Sequence, residues 1–152
     1  MGSPDFFHAI AEHVEYFGYV TKLDEDGIFK TTQVPPGHPS FWIVPHPRGG
    51  AVFRALYRVG PNAKSDSEGF LKFLNEANSL AAVSRFIGFE NFMIVEAWFP
   101  PYYERQAFGI FFNRYLMDIA TPADRNPSAV ARFFPADTGT TATQNPANAV
   151  HP

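Results

Sequence analysis

The stretch that decides the fold is residues 65–119, SDSEGFLKFLNEANSLAAVSRFIGFENFMIVEAWFPPYYERQAFGIFFNRYLMDI. It holds nine of the chain's 17 phenylalanines. Its apolar residues follow first a helical, then an alternating, then again a helical period. These changes predict a helix, two strands joined by a short turn, and a second helix. No catalytic motif is found in this stretch or elsewhere in the sequence.

The first helix of the stretch begins at Ser65–Ser67, whose side-chain oxygens suit the free amides of a first helical turn. Ser65 and Glu68 have the spacing of a capping box. The apolar residues that then recur with helical period are Phe70, Phe73, Leu74, Ala77, Leu80 and Ala81. Asn75 and Asn78 flank this stripe. Asparagine lowers helix propensity, so each is expected to hydrogen-bond a neighbouring strand or loop.

Two strands are predicted at 83–87 and 92–99, with the hairpin turn at 88–91. The second strand alternates between two faces. One face carries Met93, Val95, Ala97 and Phe99, and the other carries Phe92, Ile94, Glu96 and Trp98. Only Glu96 is charged, so the pattern favours a central strand covered on both faces. Pro100 and Pro101 end it, because proline cannot donate to a strand ladder.

The second helix is expected from about Tyr102 to Ile119, with an apolar stripe at helical spacing. The residues expected to be buried together in one core are Phe73, Leu74, Ala77, Val95, Ala97, Phe111 and Tyr115. Upstream, a helix from Ser3 or Asp5 to Gly18 precedes strands at 20–23, 28–34, 41–44 and 52–59. The whole order is a helix, three or four strands, a helix, two strands and a helix. It predicts an α+β fold with an antiparallel sheet of about five strands and three helices.

The length of 152 residues predicts one domain, which we place at residues 1–120. Residues 121–152 are rich in Ala, Thr, Pro and Asn and are interpreted as a C-terminal tail. One short helix is expected in the tail, through Ser128, Val130 and Phe133 and ended by Pro135.

Composition excludes several classes of protein. A hydrophobic share of 45% with 18% charged residues indicates a globular chain, and the net charge of −3 argues against a nucleic-acid partner. The absence of cysteine excludes disulfides and a thiolate nucleophile, and it suits a reducing cytoplasm. No apolar run reaches membrane-spanning length. We therefore expect a cytoplasmic protein that does not contact membranes.

No metal or cofactor is expected. Five histidines are present, but His8 and His13 lie about 140° apart around their helix. They therefore do not share a face, as metal ligands four residues apart would. The acidic run at 24–26 lacks the ligand pattern of a calcium loop. Serine and threonine lack the sequence context of a nucleophile, so an enzyme is not expected.

One strand face combines two cations, Arg54 and Arg58, with Leu56 between them. Two interpretations stay open. The first is a docking stripe for an acidic or C-terminal peptide group. The second is a solvated sheet face on which Glu96 is the cross-strand partner of an arginine.

Association is predicted from the second face of strand 92–99, which three helices on one side of the sheet leave partly open. We expect a homodimer whose interface uses this face, with residues 130–134 covering the remainder. The alternative is that the tail folds back on its own chain. The residues assigned to partner binding are Arg54, Arg58, Phe92, Ile94, Glu96 and Trp98.

The sequence resembles the YbjN-like family in its helix FLKFLNEAN at 70–78, with an L-x-x-x-N pattern, its strand FMIVEA at 92–97 and its pair Phe111-Phe112. Its order of elements resembles the type III secretion chaperone-like fold, α-β-β-β-α-β-β-α. This resemblance covers about residues 4–120. It implies a non-enzymatic bacterial cytoplasmic protein, often dimeric, that binds other proteins and is linked to stress response and regulation.

Two alternatives to that role remain. One is a dedicated type III secretion chaperone that holds an effector segment. The other is a small-molecule-binding domain or enzyme with an aromatic pocket near Trp42, Trp98, Tyr102 and Tyr103.

Overall fold

The computed structural model describes residues 4–135 of the chain. Eleven elements occur in this range. Five are helices: α1 Pro4–Tyr16, α2 Asn62–Ser65, α3 Ser67–Leu80, α4 Arg105–Arg125 and α5 Pro127–Phe133. Six are strands: β1 Val20–Leu23, β2 Phe29–Gln33, β3 Trp42–Pro45, β4 Ala51–Arg58, β5 Arg85–Gly88 and β6 Phe92–Phe99.

The six strands form one antiparallel sheet in the order β1-β2-β3-β4-β6-β5. The central pair is β4 with β6, which are aligned over eight residues from Ala51–Phe99 to Arg58–Phe92. The α+β class and the antiparallel sheet are confirmed. The sheet has six strands rather than about five. The described range has five helices: the three predicted for the domain, the short helix α2, and α5, which confirms the short helix predicted in the tail.

One face of the sheet packs against the helices. Phe53 and Val95 on this face are fully buried, and so are Phe112 and Tyr115 of α4. The Tyr115 hydroxyl donates a hydrogen bond to the Val95 carbonyl at 2.9 Å. The predicted core is confirmed, except that Leu74 is only partly buried.

Two predicted helix starts need correction. Ser65 belongs to the short helix α2, and Asp66 caps α3 by accepting a hydrogen bond from the Gly69 amide at 3.0 Å. The predicted capping box of Ser65 and Glu68 is therefore wrong. Helix α4 begins after Glu104, whose carboxylate accepts from the next helical amides at 3.0 and 2.7 Å. Tyr102 therefore lies outside α4.

Helix α4 continues past the predicted end at Ile119 to Arg125, through a buried Pro122. Proline gives up one helical hydrogen bond, and burial of its ring at this position offsets the loss. The predicted domain boundary at residue 120 therefore lies inside α4. The part of the predicted tail at 136–152 lies outside the described residues.

Helix α5 folds back onto α3, on the helical side of the sheet. Phe133 is buried against Phe70, with ring centroids 5.3 Å apart. Its carbonyl accepts a hydrogen bond from the Gly60 amide at 2.8 Å, and Arg132 forms an ion pair with Asp66 at 3.0 Å. The expectation that residues 130–134 cover the open sheet face is wrong, because Phe133 finds its apolar partners on α3.

Candidate functional site

The open face is the side of the sheet that points away from the helices. Four of its side chains form a second buried cluster, separate from the main core: Ile28, Trp42, Leu56 and Ile94. Partly buried residues pack around this cluster, namely Val44, Phe89 and Phe92. No residue of the five helices between 4 and 135 belongs to this cluster. Within residues 4–135, the open face is thus covered by its own side chains and by Phe89 of the β5–β6 turn.

A line of mostly charged residues crosses the open face from one sheet edge to the other, perpendicular to the strands. Strand register aligns its members, which we call the transverse row: Lys22, Lys30, Trp42, Arg54, Glu96 and Arg85. Neighbouring strands lie about 4.8 Å apart, so the row is about 24 Å long. Four of its six side chains are cationic and one is a carboxylate.

Two guanidinium groups share the single carboxylate of the row. Arg54 Nε donates to Glu96 Oε2 at 3.0 Å, and Arg85 Nε donates to Glu96 Oε1 at 2.6 Å. The side chain of Glu96 is 7% exposed, that of Arg54 16% and that of Arg85 71%. The expected cross-strand pairing of Glu96 with an arginine is confirmed. One carboxylate balances one of the two cations, so this cluster keeps a positive charge.

At the other end of the row, Lys22 lies directly opposite Lys30 on neighbouring strands. Like charges at this spacing repel. Asp24 compensates Lys30 with an ion pair at 3.1 Å. Burial raises the pKa of Asp24, but hydrogen bonds from the Ile28 amide, from Lys30 and from the Asp26 amide outweigh it and hold this pKa below the usual carboxyl value. No residue in the described range forms an ion pair with Lys22.

Trp98 stands at the end of the open face beside the β3–β4 turn. Its indole Nε1 donates to the Gly49 carbonyl at 3.0 Å, while 51% of the side chain stays exposed. Gly49 and Gly50 both have positive φ, 93° and 84°. Only glycine adopts such angles without strain, so this turn sets the position of the carbonyl that holds Trp98.

A cleft of about 290 Å³ lies between Trp98 and the arginine cluster. Its lining includes His46, Arg54, Ser84, Arg85 and Trp98. The His46 and Trp98 ring centroids are 6.4 Å apart. Guanidinium groups of this kind bind carboxylates well, and aromatic rings bind flat cationic groups such as guanidinium.

Asp118 of α4 fixes the loop that forms one wall of this cleft. Its buried carboxylate accepts hydrogen bonds from three consecutive amides, Ala82 at 2.8 Å and Val83 and Ser84 at 2.9 Å. Sequence reasoning missed this residue. The sequence feature that could have revealed it is a single acidic residue near the end of an otherwise apolar helical stripe, next to Tyr115 and Ile119.

The structure places the predicted site residues in different environments. Ile94 is fully buried beneath its neighbours, so the expectation that it contributes to an open interface is wrong. Phe92 is half-buried and stacks on Phe89 with centroids 4.6 Å apart. Arg58 is exposed and forms no ion pair within the described range. Arg54, Glu96 and Trp98 meet at the cleft described above.

Trp42 lies within the transverse row between Lys30 and Arg54. Its side chain is 3% exposed, and its indole Nε1 has no hydrogen-bond partner among the residues described. A buried donor without an acceptor costs about 1–3 kcal/mol. The centre of the open face is therefore rich in donors and poor in acceptors.

The four residues of the predicted aromatic pocket lie in separate places. Trp42 is in the buried cluster and Trp98 lines the cleft, both on the open face. Tyr103 lines a different cleft beside α1, and its hydroxyl is 2.8 Å from His13 Nδ1. Tyr102 is 79% exposed. These residues therefore do not form one pocket.

Residues 4–135 contain no group of three or more histidine or acidic side chains placed to hold a metal ion. None of the helices in this range is long and apolar enough to cross a lipid bilayer.

Comparison with known proteins identifies the fold. No protein-family model matches the sequence, and no curated protein sequence matches it either. Among solved structures, the fold is similar to that of YbjN from E. coli, which is described as a proposed transcription regulator. The two share 12% sequence identity with a TM-score of 0.59, over 79% of this chain and 92% of that chain. The chain therefore has a YbjN-like α+β fold.

Proposed function

We propose that this chain is a non-catalytic protein-binding domain with a regulatory or adapter role, and that its open face receives an acidic segment of a partner protein. The observation that carries this proposal is the transverse row. It places four cations and one carboxylate on a face that no helix in the described range covers. The whole chain, by contrast, has a net charge of −3. Asp24 adds a second carboxylate beside Lys30, so the face keeps a positive charge, and Lys22 and Arg85 are the most accessible cations of the row.

The chemistry of the row favours a carboxylate ligand. Lys22 and Lys30 repel each other, and a carboxylate between them would lower that repulsion. Arg85 keeps most of its side chain exposed although its guanidinium is bound to Glu96. Arginine and tryptophan are the residues most enriched among strong contacts of protein interfaces, and Arg85 and Trp98 line the same cleft.

A non-catalytic role is supported by the two carboxylates on this face, because each is already bound by neighbouring groups. Glu96 is held between Arg54 and Arg85, and Asp24 is held by Lys30 and two backbone amides. A general base must be available to take a proton from a substrate. Neither carboxylate is free in that sense.

The test is capture of partners from an extract of the native cells, with the full chain immobilised and the bound proteins identified by mass spectrometry. Three baits are compared: the unmodified chain, Arg58→Glu and Arg114→Glu. Both arginines are exposed and form no ion pair in the described range. Arg58 lies on the open face and Arg114 on α4, so the second variant is a matched control for the first.

We expect a partner with an acid-rich segment to bind the unmodified chain and Arg114→Glu but not Arg58→Glu. Equal capture by all three baits would contradict the proposal.

Duplex DNA is the comparison ligand, because YbjN is described as a proposed transcription regulator and cations also bind phosphates. No helix between residues 4 and 135 lies on the open face where it could enter a DNA groove, and this favours the protein ligand.

A further inference from the structure

A second surface, on the helical side of the molecule, carries exposed aromatic residues between α1 and α4. We call it the α1–α4 groove. It encloses about 280 Å³ and is lined by Ala9, Glu12, His13, Tyr16, Phe17, Tyr103 and Arg105. Tyr16 is 79% exposed, Phe17 46% and Tyr103 36%. A contiguous set of large exposed apolar side chains usually marks an interaction surface.

The walls of the groove are held in place by contacts centred on His13. Its ring stacks on Phe17, with centroids 5.4 Å apart, and meets Phe108 edge-on at 4.9 Å. Its Nδ1 lies 2.8 Å from the Tyr103 hydroxyl. The groove is thus formed before any partner binds, which lowers the entropy cost of association.

The groove also carries one exposed charge of each sign that lacks a counter-ion. Glu12 of α1 and Arg105 at the start of α4 both line it and are both exposed. Neither forms an ion pair with another residue of the described range. A surface with unpaired charges of both signs can pair with a copy of itself, because a two-fold axis brings each charge of one copy to the opposite charge of the other.

We propose that the α1–α4 groove is the contact surface of a homodimer, in which Arg105 of each subunit pairs with Glu12 of the partner subunit. This goes beyond the proposed function and does not depend on it. The open face suits a second copy poorly, because a two-fold contact there would bring cations of the transverse row against cations, at a cost in binding energy. A dimer through the groove leaves the open face accessible to other proteins.

The experiment is sedimentation equilibrium of the full chain at roughly 10 µM, a concentration at which a specific dimer is populated. The expected mass is that of two 17.0 kDa chains. Glu12→Arg and Arg105→Glu each place like charges together, and each is expected to weaken dimerisation by about tenfold or more. An equimolar mixture of the two variants is expected to regain dimers, since each mixed contact then joins opposite charges.

Two controls make the outcome decisive. Arg58→Glu, on the open face, is expected to dimerise like the unmodified chain. Recovery in the mixture also shows that the single variants are folded. The proposal is overturned if the unmodified chain is monomeric at about 100 µM, if Glu12→Arg and Arg105→Glu both dimerise normally, if their mixture does not recover, or if Arg58→Glu abolishes the dimer.

Discussion

The side-chain amide of Asn78 on α3 and the backbone of Phe86 on β5 form two hydrogen bonds. Asn78 Nδ2 donates to the Phe86 carbonyl at 3.0 Å, and the Phe86 amide donates to Asn78 Oδ1 at 2.7 Å. Strand β5 is at the edge of the sheet, and β6 is its one partner strand among residues 4–135. Asn78 therefore takes the place of a further strand at this position. Unpaired backbone groups at a strand edge favour uncontrolled association. Asn78 pairs two of these groups on the edge of β5.

Replacing Asn78 by alanine should leave both backbone groups of Phe86 without their partner. We expect Asn78→Ala to lower the free energy of unfolding by about 1–3 kcal/mol, measured by urea denaturation. Asn75→Ala is the matched control. Asn75 lies on the same helix and is exposed, and its side chain forms no hydrogen bond within the described range, so its change should stay within about 0.5 kcal/mol. Equal effects of the two substitutions would contradict this role of Asn78.

The two asparagines also show what the sequence can and cannot predict. Both interrupt an apolar helix, so the sequence predicts hydrogen bonding for both, and the structure confirms it for Asn78 alone. Which flank of the helix faces β5 depends on how α3 packs on the sheet, and helical periodicity does not contain that information. The same limit applies to α5. The sequence predicts its apolar residues, but it does not predict the surface of the molecule on which they pack.

The shared carboxylate of the open face gives a second prediction. Glu96→Gln keeps the shape of the side chain but removes the counter-ion of Arg54, which is largely buried. We expect a loss of about 1–3 kcal/mol in the free energy of unfolding. Arg85→Ala should cost less than about 1 kcal/mol, since Arg85 is mostly solvated. Urea denaturation of both variants tests this order, and a larger loss for Arg85→Ala would refute it.

The core gives a third prediction. Phe111 is buried against Phe53 and Phe99, with ring centroids 5.4 and 5.0 Å apart. Phe111→Ala should therefore cost about 3–5 kcal/mol. Its neighbour Ile110 is 48% exposed, so Ile110→Ala should cost far less. A loss below about 1 kcal/mol for Phe111→Ala in urea would show that α4 does not pack as described.

A fourth prediction concerns pH. Burial, with the charge of Arg105 second, lowers the pKa of His13 below its usual 6.5. The unfolded chain then binds more protons at this residue than the folded chain does, so stability rises with pH across the window from the folded pKa to 6.5. The urea midpoint should accordingly be lower at about pH 5 than at about pH 8.

His13→Gln should reduce this pH dependence, and the same substitution at His8 on the same helix tests whether the effect is specific. A pH dependence that is unchanged in His13→Gln would show that other groups cause it. Asp24 does not interfere in this window, because its pKa is lowered from 3.8 and its protonation begins at more acidic pH.

The candidate site was predictable in part, for similar physical reasons. Alternation places Glu96 and Trp98 on one face of strand 92–99 and Arg54 on one face of strand 52–59, and in the structure these two faces lie on the same side of the sheet. Alternation does not tell which strands are neighbours, so the sequence did not reveal the alignment of Lys22 and Lys30 with Arg54. Alternation also does not show which residues cover a given face of the sheet. Ile94 was therefore expected to be open, whereas it is fully buried.

Binding of acidic protein segments to the open face can be observed directly, because the chain contains its own reporters. Its two tryptophans, Trp42 and Trp98, both belong to the open face, so both indole N–H signals in a ¹⁵N NMR spectrum report on that surface. The probe is a peptide of about ten residues with alternating glutamates, long enough to span the transverse row. The same peptide with glutamine in place of glutamate is the control.

We expect the Trp98 indole signal to shift saturably with the acidic peptide. Added salt should weaken the shift, and the glutamine peptide should have little effect. The contrary result is an unchanged Trp98 signal with the acidic peptide, or an equal shift with both peptides.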